Sequence, residues 1–372
     1  MALGPADWPS AVIQISGLMQ IRDVLIVGAG PAGLAAGIAA RRLGLEYSIV
    51  EKGVLVNSIF KFPVNMVFFT TPELLEIGGM PLVSPYDKPT RIEALRYYRR
   101  VAEAFDLQIE FEEQVFGIER EAGPDREDMF AVETRSGKGV RRIRHSRNVV
   151  FAIGYFDHPN LMGVPGEDLP HVFHYYSEAH GYYRKNVVIV GGGNSAAETA
   201  LELFRTGAHV TMVHRHPQLK PSIKYWVKPD IENRLKEGSI TGLLETRLVE
   251  IQPTQVIVEH AGRTSEIQAD AVFLLTGYHP DYDLYRRAGI RLKKDTLNPE
   301  FNPATFESNV PGLFLAGGAI CGKDTSNVFI ENGRFHGEKI IEVIAQRMGR
   351  RIPRTAETKE QKTLEQRAKE EG

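Results

Sequence analysis

Short, wholly apolar runs recur along this chain, each closed by glycines and followed by a stretch with helical spacing. Residues 22–27, RDVLIV, read as a buried strand; then come Gly28-Ala29-Gly30-Pro31-Ala32-Gly33 and the run LAAGIAARRLG, apolar at helical intervals. A second strand, YSIVE, follows and ends at Glu51. The same order returns as KNVVIV, Gly191-Gly192-Gly193-Asn194-Ser195-Ala196, the helix AETALELFRTG and the strand HVTMV, which ends at His214 and Arg215. Two further apolar strands, VVFAIGY (149–155) and AVFLLTGY (271–278), both end in Gly-Tyr. VPGLFLAGGAICG (310–322) reads as a strand with a glycine turn, and residues 327–348 as a long helix capped by Thr325, Ser326 or Asn327.

Strand, glycine turn and helix in that order make GxGxxG a dinucleotide fingerprint, not a chance pattern. Gly28 permits the turn, Gly30 lets backbone N–H groups approach a pyrophosphate, and Gly33 lets helix and strand pack closely; the helix N-terminus faces the phosphate charge. Glu51 lies 23 residues after Gly28, where a carboxylate accepts both ribose hydroxyls of an adenosine. His214 lies 23 residues after Gly191, so the register repeats while the acid becomes His-Arg. A carboxylate repels a 2′-phosphate and a guanidinium grips it. The first turn therefore suits a nucleotide with a free 2′-hydroxyl, and the second favours NADPH over NADH. FAD and NADPH are the economical pair, one held and one exchanging. His216, Lys220 and Lys224 stand ready to add positive charge or simply to be solvated.

At 372 residues the chain has room for two or three domains of roughly 150. Hydrophobic residues at 42% and charged residues at 25% describe a globular protein, and Lys+Arg 45 against Asp+Glu 47 gives no basic excess for nucleic acid or an anionic membrane. No run approaches the 18 or so apolar residues of a membrane span, and the N-terminus lacks a basic region ahead of its apolar letters, so neither a span nor a signal peptide is expected. A cytoplasmic location is the expectation. The polar segment from Thr355 reads as a solvated helix or a disordered tail. The single Cys321 excludes a disulfide framework, a CxxC dithiol and a Cys-rich metal site, and no metal is expected. NLMGVPGEDLP is a Gly/Pro linker between the two fingerprints. The organisation expected is an extension (1–20), an FAD-binding domain (21–163), an inserted NADPH-binding domain (164–280), the rest of the FAD domain (281–350) and a polar tail (351–372).

The segments FPVNMVFFTTPELLEIGGMP, GEDLPHVFHYYSEAH, PSIKYWVKPDIENRLKEG, LTGYHPD and NVFIENGRFHG, together with the two fingerprints, resemble the thioredoxin-reductase-like flavoproteins, and within them the bacillithiol-disulfide reductase family, over about residues 20–348. The resemblance implies an α/β fold of two Rossmann-like, three-layer ββα dinucleotide-binding domains, FAD and NADPH as cofactors, a homodimer, and a small-molecule disulfide or small redox protein as electron acceptor. It implies FAD contacts from Lys52, Lys61, Val115, Gly154, Gly317, Gly318, Asn327 and Phe329, besides the residues of the first turn and Glu51. It implies NADPH contacts from Asn194, Ser195, Ala196, Lys220 and Gly277, besides Gly191, Gly193, His214 and Arg215. The aromatics Phe60, Phe62, Phe68 and Phe69 would flank the flavin.

The chain departs from these relatives at three places. Where thioredoxin reductases carry the last Cys of a dithiol, 14 residues ahead of the second turn, it has Ser177, in the tetrad His174-Tyr175-Tyr176-Ser177. Where the bacillithiol-disulfide family carries a Cys in the first turn, it has Ala32. The Asp common after the last strand is replaced within Ala316-Gly317-Gly318, so the flavin would need other partners there, such as backbone N–H groups of that turn. Cys321 is read two ways: a thiolate activated at a helix N-terminus, or an inert packed thiol. His174, Tyr175, Tyr176 and His336 are candidates for giving a proton to a departing thiolate. Arg141, Arg142, Arg144 and Arg147 form either a solvated strand face or an anion-binding patch. Three functions remain open: reduction of a small disulfide, with bacillithiol disulfide as the family's substrate; a ferredoxin or flavodoxin–NADP reductase or another flavoprotein reductase without a dithiol; and a non-catalytic NADPH-sensing flavoprotein.

Overall fold

A computed structural model describes residues 20–124 and 128–352. The chain divides into two compact units. One gathers the chain up to Phe60, Val67–Asp157 and the chain from His279; the other takes Lys61–Met66 and His158–Tyr278. The chain thus leaves the first unit and re-enters it at 157/158 and 278/279, against joints expected at 163/164 and 280/281.

The first unit opens with β1 (Ile21–Val27), α1 (Pro31–Arg42), β2 (Tyr47–Val50), the short α2 (Asn57–Phe60), α3 (Arg91–Ala104), β3 (Ile109–Glu110), β4 (Glu113–Ala122), β5 (Asp128–Ser136) and β6 (Arg141–Phe151). In the second unit follow β7 (Val172–Phe173), β8 (Asn186–Val190), α4 (Asn194–Thr206), β9 (His209–Val213), α5 (Lys228–Glu237), β10 (Thr241–Leu243), β11 (Thr246–Ile251), β12 (Gln255–His260), β13 (Arg263–Gln268) and β14 (Ala271–Leu274). Back in the first unit, α6 (Tyr282–Arg287), β15 (Leu313–Leu315) and α7 (Ile330–Arg347) complete the described chain.

In the first unit the sheet order is β3-β2-β1-β6-β5-β4, with β15 also paired to β6. The second half of β6 runs parallel to β1 and β15, while its first half pairs antiparallel with β5. One long strand therefore belongs to a parallel sheet and an antiparallel ribbon at once. Leu25, Val27, Phe130, Val132, Val149, Phe151, Leu313 and Leu315 share one core with Leu284 and Tyr285 of α6. The second unit has a parallel sheet, β10-β9-β8-β14-β7, and a separate antiparallel sheet, β11-β12-β13. Alternation along β8 explains its unbroken apolar letters. Val187 and Ile189 pack with Ala196 and Ala200 of α4, and Val188 and Val190 with Leu248 and Val258 of the small sheet. A strand buried on both faces carries no polar alternation. These are the three layers, sheet, sheet and helix, in this unit.

Three details differ from the sequence expectation. The strands at 149 and 271 stop at Phe151 and Leu274, before their Gly-Tyr pairs, and Tyr278 instead makes an isolated antiparallel bridge with Pro159. The long helix starts at Ile330, and none of Thr325, Ser326 or Asn327 caps it; Asn332 reaches back to accept the Phe329 N–H at 2.9 Å while its own amide donates to the Asn327 carbonyl at 3.0 Å. The arginine run has Arg141 and Arg142 half exposed to solvent, as a solvated face would, yet three of its members are ion-paired. Arg141 pairs with Glu133 at 2.7 Å, Arg142 with Glu113 at 3.1 Å, and Arg144 with Glu113 at 2.7 Å and with Glu110. The extension up to residue 19 and the tail from Thr355 lie outside the described residues. Among the described residues no helix is long and apolar enough to cross a membrane.

Glu113 is the centre of that cluster, its side chain 2% exposed, and it also accepts the Thr134 hydroxyl. Burial raises its carboxyl, but the bonds from Arg144 and Thr134 outweigh burial and hold it below the ordinary carboxylate range. Removing one partner of a buried pair costs about 3 kcal/mol, so Glu113→Gln should lower the urea midpoint clearly at neutral pH. A depressed folded-state value means the stabilisation is present above the ordinary carboxylate value and is lost as pH falls through the depressed one. The gap between wild type and variant should therefore close below about pH 4, which urea titrations at several pH values check.

Candidate functional site

Each unit carries one glycine turn at the carboxyl ends of its parallel strands, the edge at which open α/β sheets take ligands. In the first, Gly28 has φ +107°, and a Cβ there would sit 2.4 Å from the Ala152 carbonyl oxygen. A Cβ on Gly33 would sit 1.9 Å from the Gly28 carbonyl oxygen. Strand, turn and helix approach so closely that only hydrogen fits. Gly30, by contrast, faces open space, with nothing within 4 Å of where a Cβ would stand. Pro31 opens α1, where its missing N–H costs nothing. That bare, N–H-bearing turn at a helix N-terminus is shaped to accept a pyrophosphate.

Glu51, just past β2, is 5% exposed and accepts two backbone N–H groups, Ala29 at 2.8 Å and Gly53 at 2.8 Å. Burial pushes its carboxyl up, against those two bonds, which pull it down. A carboxylate has about four lone-pair positions, so capacity remains for ribose hydroxyls. Lys52 pairs with Asp157 at 3.0 Å, a partner without a local sequence signal. Gly317, in the left-handed region at φ +58°, lies against α1: a Cβ on it would meet the Ala32 Cβ at 2.9 Å. A Cβ on Gly318 would meet the Tyr155 ring at 2.6 Å and the Gly154 Cα at 3.3 Å. The turns at 28–33, 152–155 and 316–318 thus come together, with Gly333 of α7 beside Gly317. Asn327 and Phe329 stand just ahead of α7, and Val115 packs into the core with Leu25 and Val27. Lys61 falls in the 61–66 segment of the second unit. Val64 fastens that segment by donating its N–H to the Ser177 carbonyl at 2.9 Å.

The second turn is built differently from the first. A Cβ on Gly191 would meet the Leu275 carbonyl oxygen at 2.6 Å, and Gly192 must be glycine because the His214 ring occupies the place of its Cβ, at 2.3 Å. His214 is 7% exposed, and its Nε2 is buried without a partner. Burial first, then the neighbouring His216, Arg215 and Lys220, hold its imidazole below the ordinary histidine range. It is therefore a neutral ring wedged on the turn, and not one of the cations that would replace the acid. That charge falls to Arg215, exposed, its Nε donating to His216 Nε2 at 3.2 Å, and to Lys220, whose N–H bonds the Gly192 carbonyl at 2.8 Å and whose stem lies 3.7 Å from the place of a Gly193 Cβ. Asn194 accepts the Lys224 N–H at 2.9 Å and donates to Ser222 at 3.1 Å, tying this loop to the start of α4. Ser195 is exposed, and Ala196 is buried beneath the turn. Gly277, at φ +99°, follows β14, and its carbonyl accepts the Asn160 N–H at 2.9 Å.

His174 follows β7 in the same unit. Its Nε2 is 3.6 Å from Glu167, its Nδ1 is buried without a partner, and its carbonyl accepts the Tyr278 hydroxyl at 3.1 Å. Tyr278 stacks on Tyr175 at 5.4 Å, and Tyr176 is buried against Phe273. Cys321 is 3% exposed, and burial first, with Asp324 second, pushes its thiol up to about 12. The activated-thiolate reading is thereby corrected, since burial away from cations reverses the expected shift. His336 is corrected as a proton donor too. Its Nδ1 accepts the Gly317 N–H at 3.1 Å, and burial, then Lys339, bring it down to about 4.

The family described as pyridine nucleotide-disulphide oxidoreductase matches residues 25–317. The chain is 40% identical over 324 residues to the bacilliredoxin reductase Bdr of Bacillus subtilis, covering 87% of this chain and 97% of that protein. Among solved structures, the bacillithiol disulfide reductase Bdr of Bacillus cereus superposes with a TM-score of 0.85 at 37% identity, over 88% of this chain and 100% of that one. The corresponding Staphylococcus aureus protein gives 0.82 at 35%, over 88% and 99%.

Proposed function

Because the chain belongs to the pyridine nucleotide-disulphide oxidoreductase family, we propose that it takes a hydride from NADPH through a bound FAD and reduces a small disulfide, that of bacillithiol or of a bacilliredoxin. The observation that carries this reading is the pair of glycine turns with opposite chemistry at one register, a carboxylate at Glu51 and a guanidinium at Arg215. The balance is NADPH + H⁺ + RSSR giving NADP⁺ + 2 RSH.

Bound FAD supplies a two-electron relay between nicotinamide and disulfide. The turn from Gly28 to Gly33 would hold its pyrophosphate and Glu51 its adenosine ribose, with Gly317 packed on Ala32 of that turn. In the second unit, the Gly191–Ala196 turn holds the NADPH pyrophosphate, while Arg215 and Lys220 hold the 2′-phosphate. His174 is the group offered for the proton that a departing thiolate takes up, with Glu167 orienting its Nε2 edge. The packed, protonated thiol of Cys321 takes no part. Cys321→Ala should turn over within about twofold of wild type, since it loses only the small packing contribution of a buried sulfur. A tenfold loss at full flavin content, measured by steady-state NADPH oxidation, would return the thiol to the chemistry.

The test is anaerobic stopped-flow absorbance of the flavin. Protein reduced with one equivalent of NADPH is mixed with bacillithiol disulfide, with oxidised bacilliredoxin, or with oxidised ferredoxin. Rapid reoxidation by either disulfide supports the proposal. The lone cysteine favours a second reading, electron transfer to a ferredoxin, because no dithiol can form in this chain; reoxidation by ferredoxin alone would establish it. Slow flavin reduction and no rapid acceptor would point to an NADPH sensor.

A further inference from the structure

The loop after β15 lacks a carboxylate, yet its backbone is held. Ala316 donates its N–H to the Phe151 carbonyl at 2.8 Å and so stays in the sheet, whereas the next N–H, that of Gly317, turns to α7 and meets His336 Nδ1 at 3.1 Å. The Gly317 amide is therefore not among those the turn can offer a ligand. His336 itself is held from the other side, its ring stacked on Phe306 at 4.2 Å between centroids. Burial first, then Lys339 on the same helix, lower the imidazole and keep the ring neutral at working pH. A neutral ring bonded in this way carries its proton on Nε2.

We propose that His336 is a positioning residue for the flavin turn: by accepting the Gly317 N–H it fixes left-handed Gly317, and so sets the Gly317–Gly318 backbone between Ala32 of the first glycine turn and Tyr155. This deepens the FAD assignment above and rests on it. Side chains on both flanks make the turn sensitive to small displacement, since the Ala32 Cβ and the Tyr155 ring already stand where Cβ atoms on Gly317 and Gly318 would be. A buried amide left without its acceptor costs enough to change a binding constant about tenfold. With the acceptor gone, the N–H must find another partner by rotating the peptide, and rotation alters the surface offered to the cofactor. His336 does not touch the reacting atoms; it acts through the turn.

Asn places an acceptor oxygen where the Nδ1 of histidine lies, and Leu fills the space without one. His336→Leu should bind FAD about tenfold or more weakly and shift its visible band, and His336→Asn should restore both to within about twofold of wild type. FAD binding is read by quenching of flavin fluorescence, on protein stripped of cofactor and refilled. A Leu variant with wild-type affinity and spectrum, or an Asn variant as impaired as Leu, would overturn the proposal. If neither variant folds, ¹⁵N resonances of the wild-type histidines decide: His336 protonated on Nε2 is expected, and protonation on Nδ1 would refute it. Should wild-type protein bind no FAD at all, the functional reading fails instead, and the two failures are distinct.

Discussion

Glu51→Ala is expected to purify nearly colourless. The wild-type carboxylate accepts Ala29 and Gly53 N–H bonds at 2.8 Å each while 5% exposed, and it carries the acceptors assigned to the adenosine ribose. Hydrogen bonds to a charged group contribute about 1.5–3 kcal/mol apiece. Losing two within the turn, and the ribose contacts with them, should weaken FAD by about two orders of magnitude or more. Glu51→Gln keeps the shape but sets an N–H₂ against an N–H, so its affinity should fall between. The ratio of flavin to protein absorbance after purification, then titration of the apo-protein with FAD, reads the effect. An alanine variant that emerges fully yellow would remove Glu51 from the ribose.

Arg215→Ala is expected to raise the KM for NADPH by about ten- to a hundredfold and leave that for NADH within about twofold. Only the 2′-phosphate distinguishes the two nucleotides, and of the residues around the second turn Arg215 presents an exposed guanidinium backed by His216 at 3.2 Å. Lys220→Ala should act in the same direction and more weakly, as a point charge without the planar fork. Because the contact is exposed, added salt should shrink the difference between the nucleotides. Equal changes in both KM values would sink the assignment of the phosphate to Arg215.

Local spacing made the two glycine turns readable, because turn, close approach and helix start all fall within a dozen residues and each demands its own residue type. The partnered groups were less legible. Arg144 meets Glu113 only through the registers of β4 with β5 and β5 with β6, so its run looked like a solvated face until the strands were paired. The Lys52–Asp157 and Gly317–His336 bonds likewise join segments distant in sequence. For Cys321 the local context left an activated and an inert thiol both open, since position after a strand says nothing of the burial that governs a thiol. His214 taught the converse: its register was right, but as a neutral ring pressed on Gly192 it serves shape, leaving charge to its neighbours.

Close approach of α1 and α7 has a consequence for how the protein is made. Gly337 admits the backbone of α1 so closely that a Cβ would stand 2.4 Å from the Ala32 carbonyl oxygen and 2.6 Å from the Ala36 nitrogen. The partner of the first glycine turn is thus the last helix of the described chain, and β15 enters beside β6 only shortly before it. As the polypeptide leaves the ribosome, β1, α1 and β2 emerge early and wait, while the second unit, whose described segments come largely from one continuous stretch, can already close on itself. N-terminal segments emerge first, and contacts distant in sequence form late. Closure of the first glycine turn therefore waits for α7, and a nascent chain stalled before α7 should hold a folded second unit and an unfinished first one.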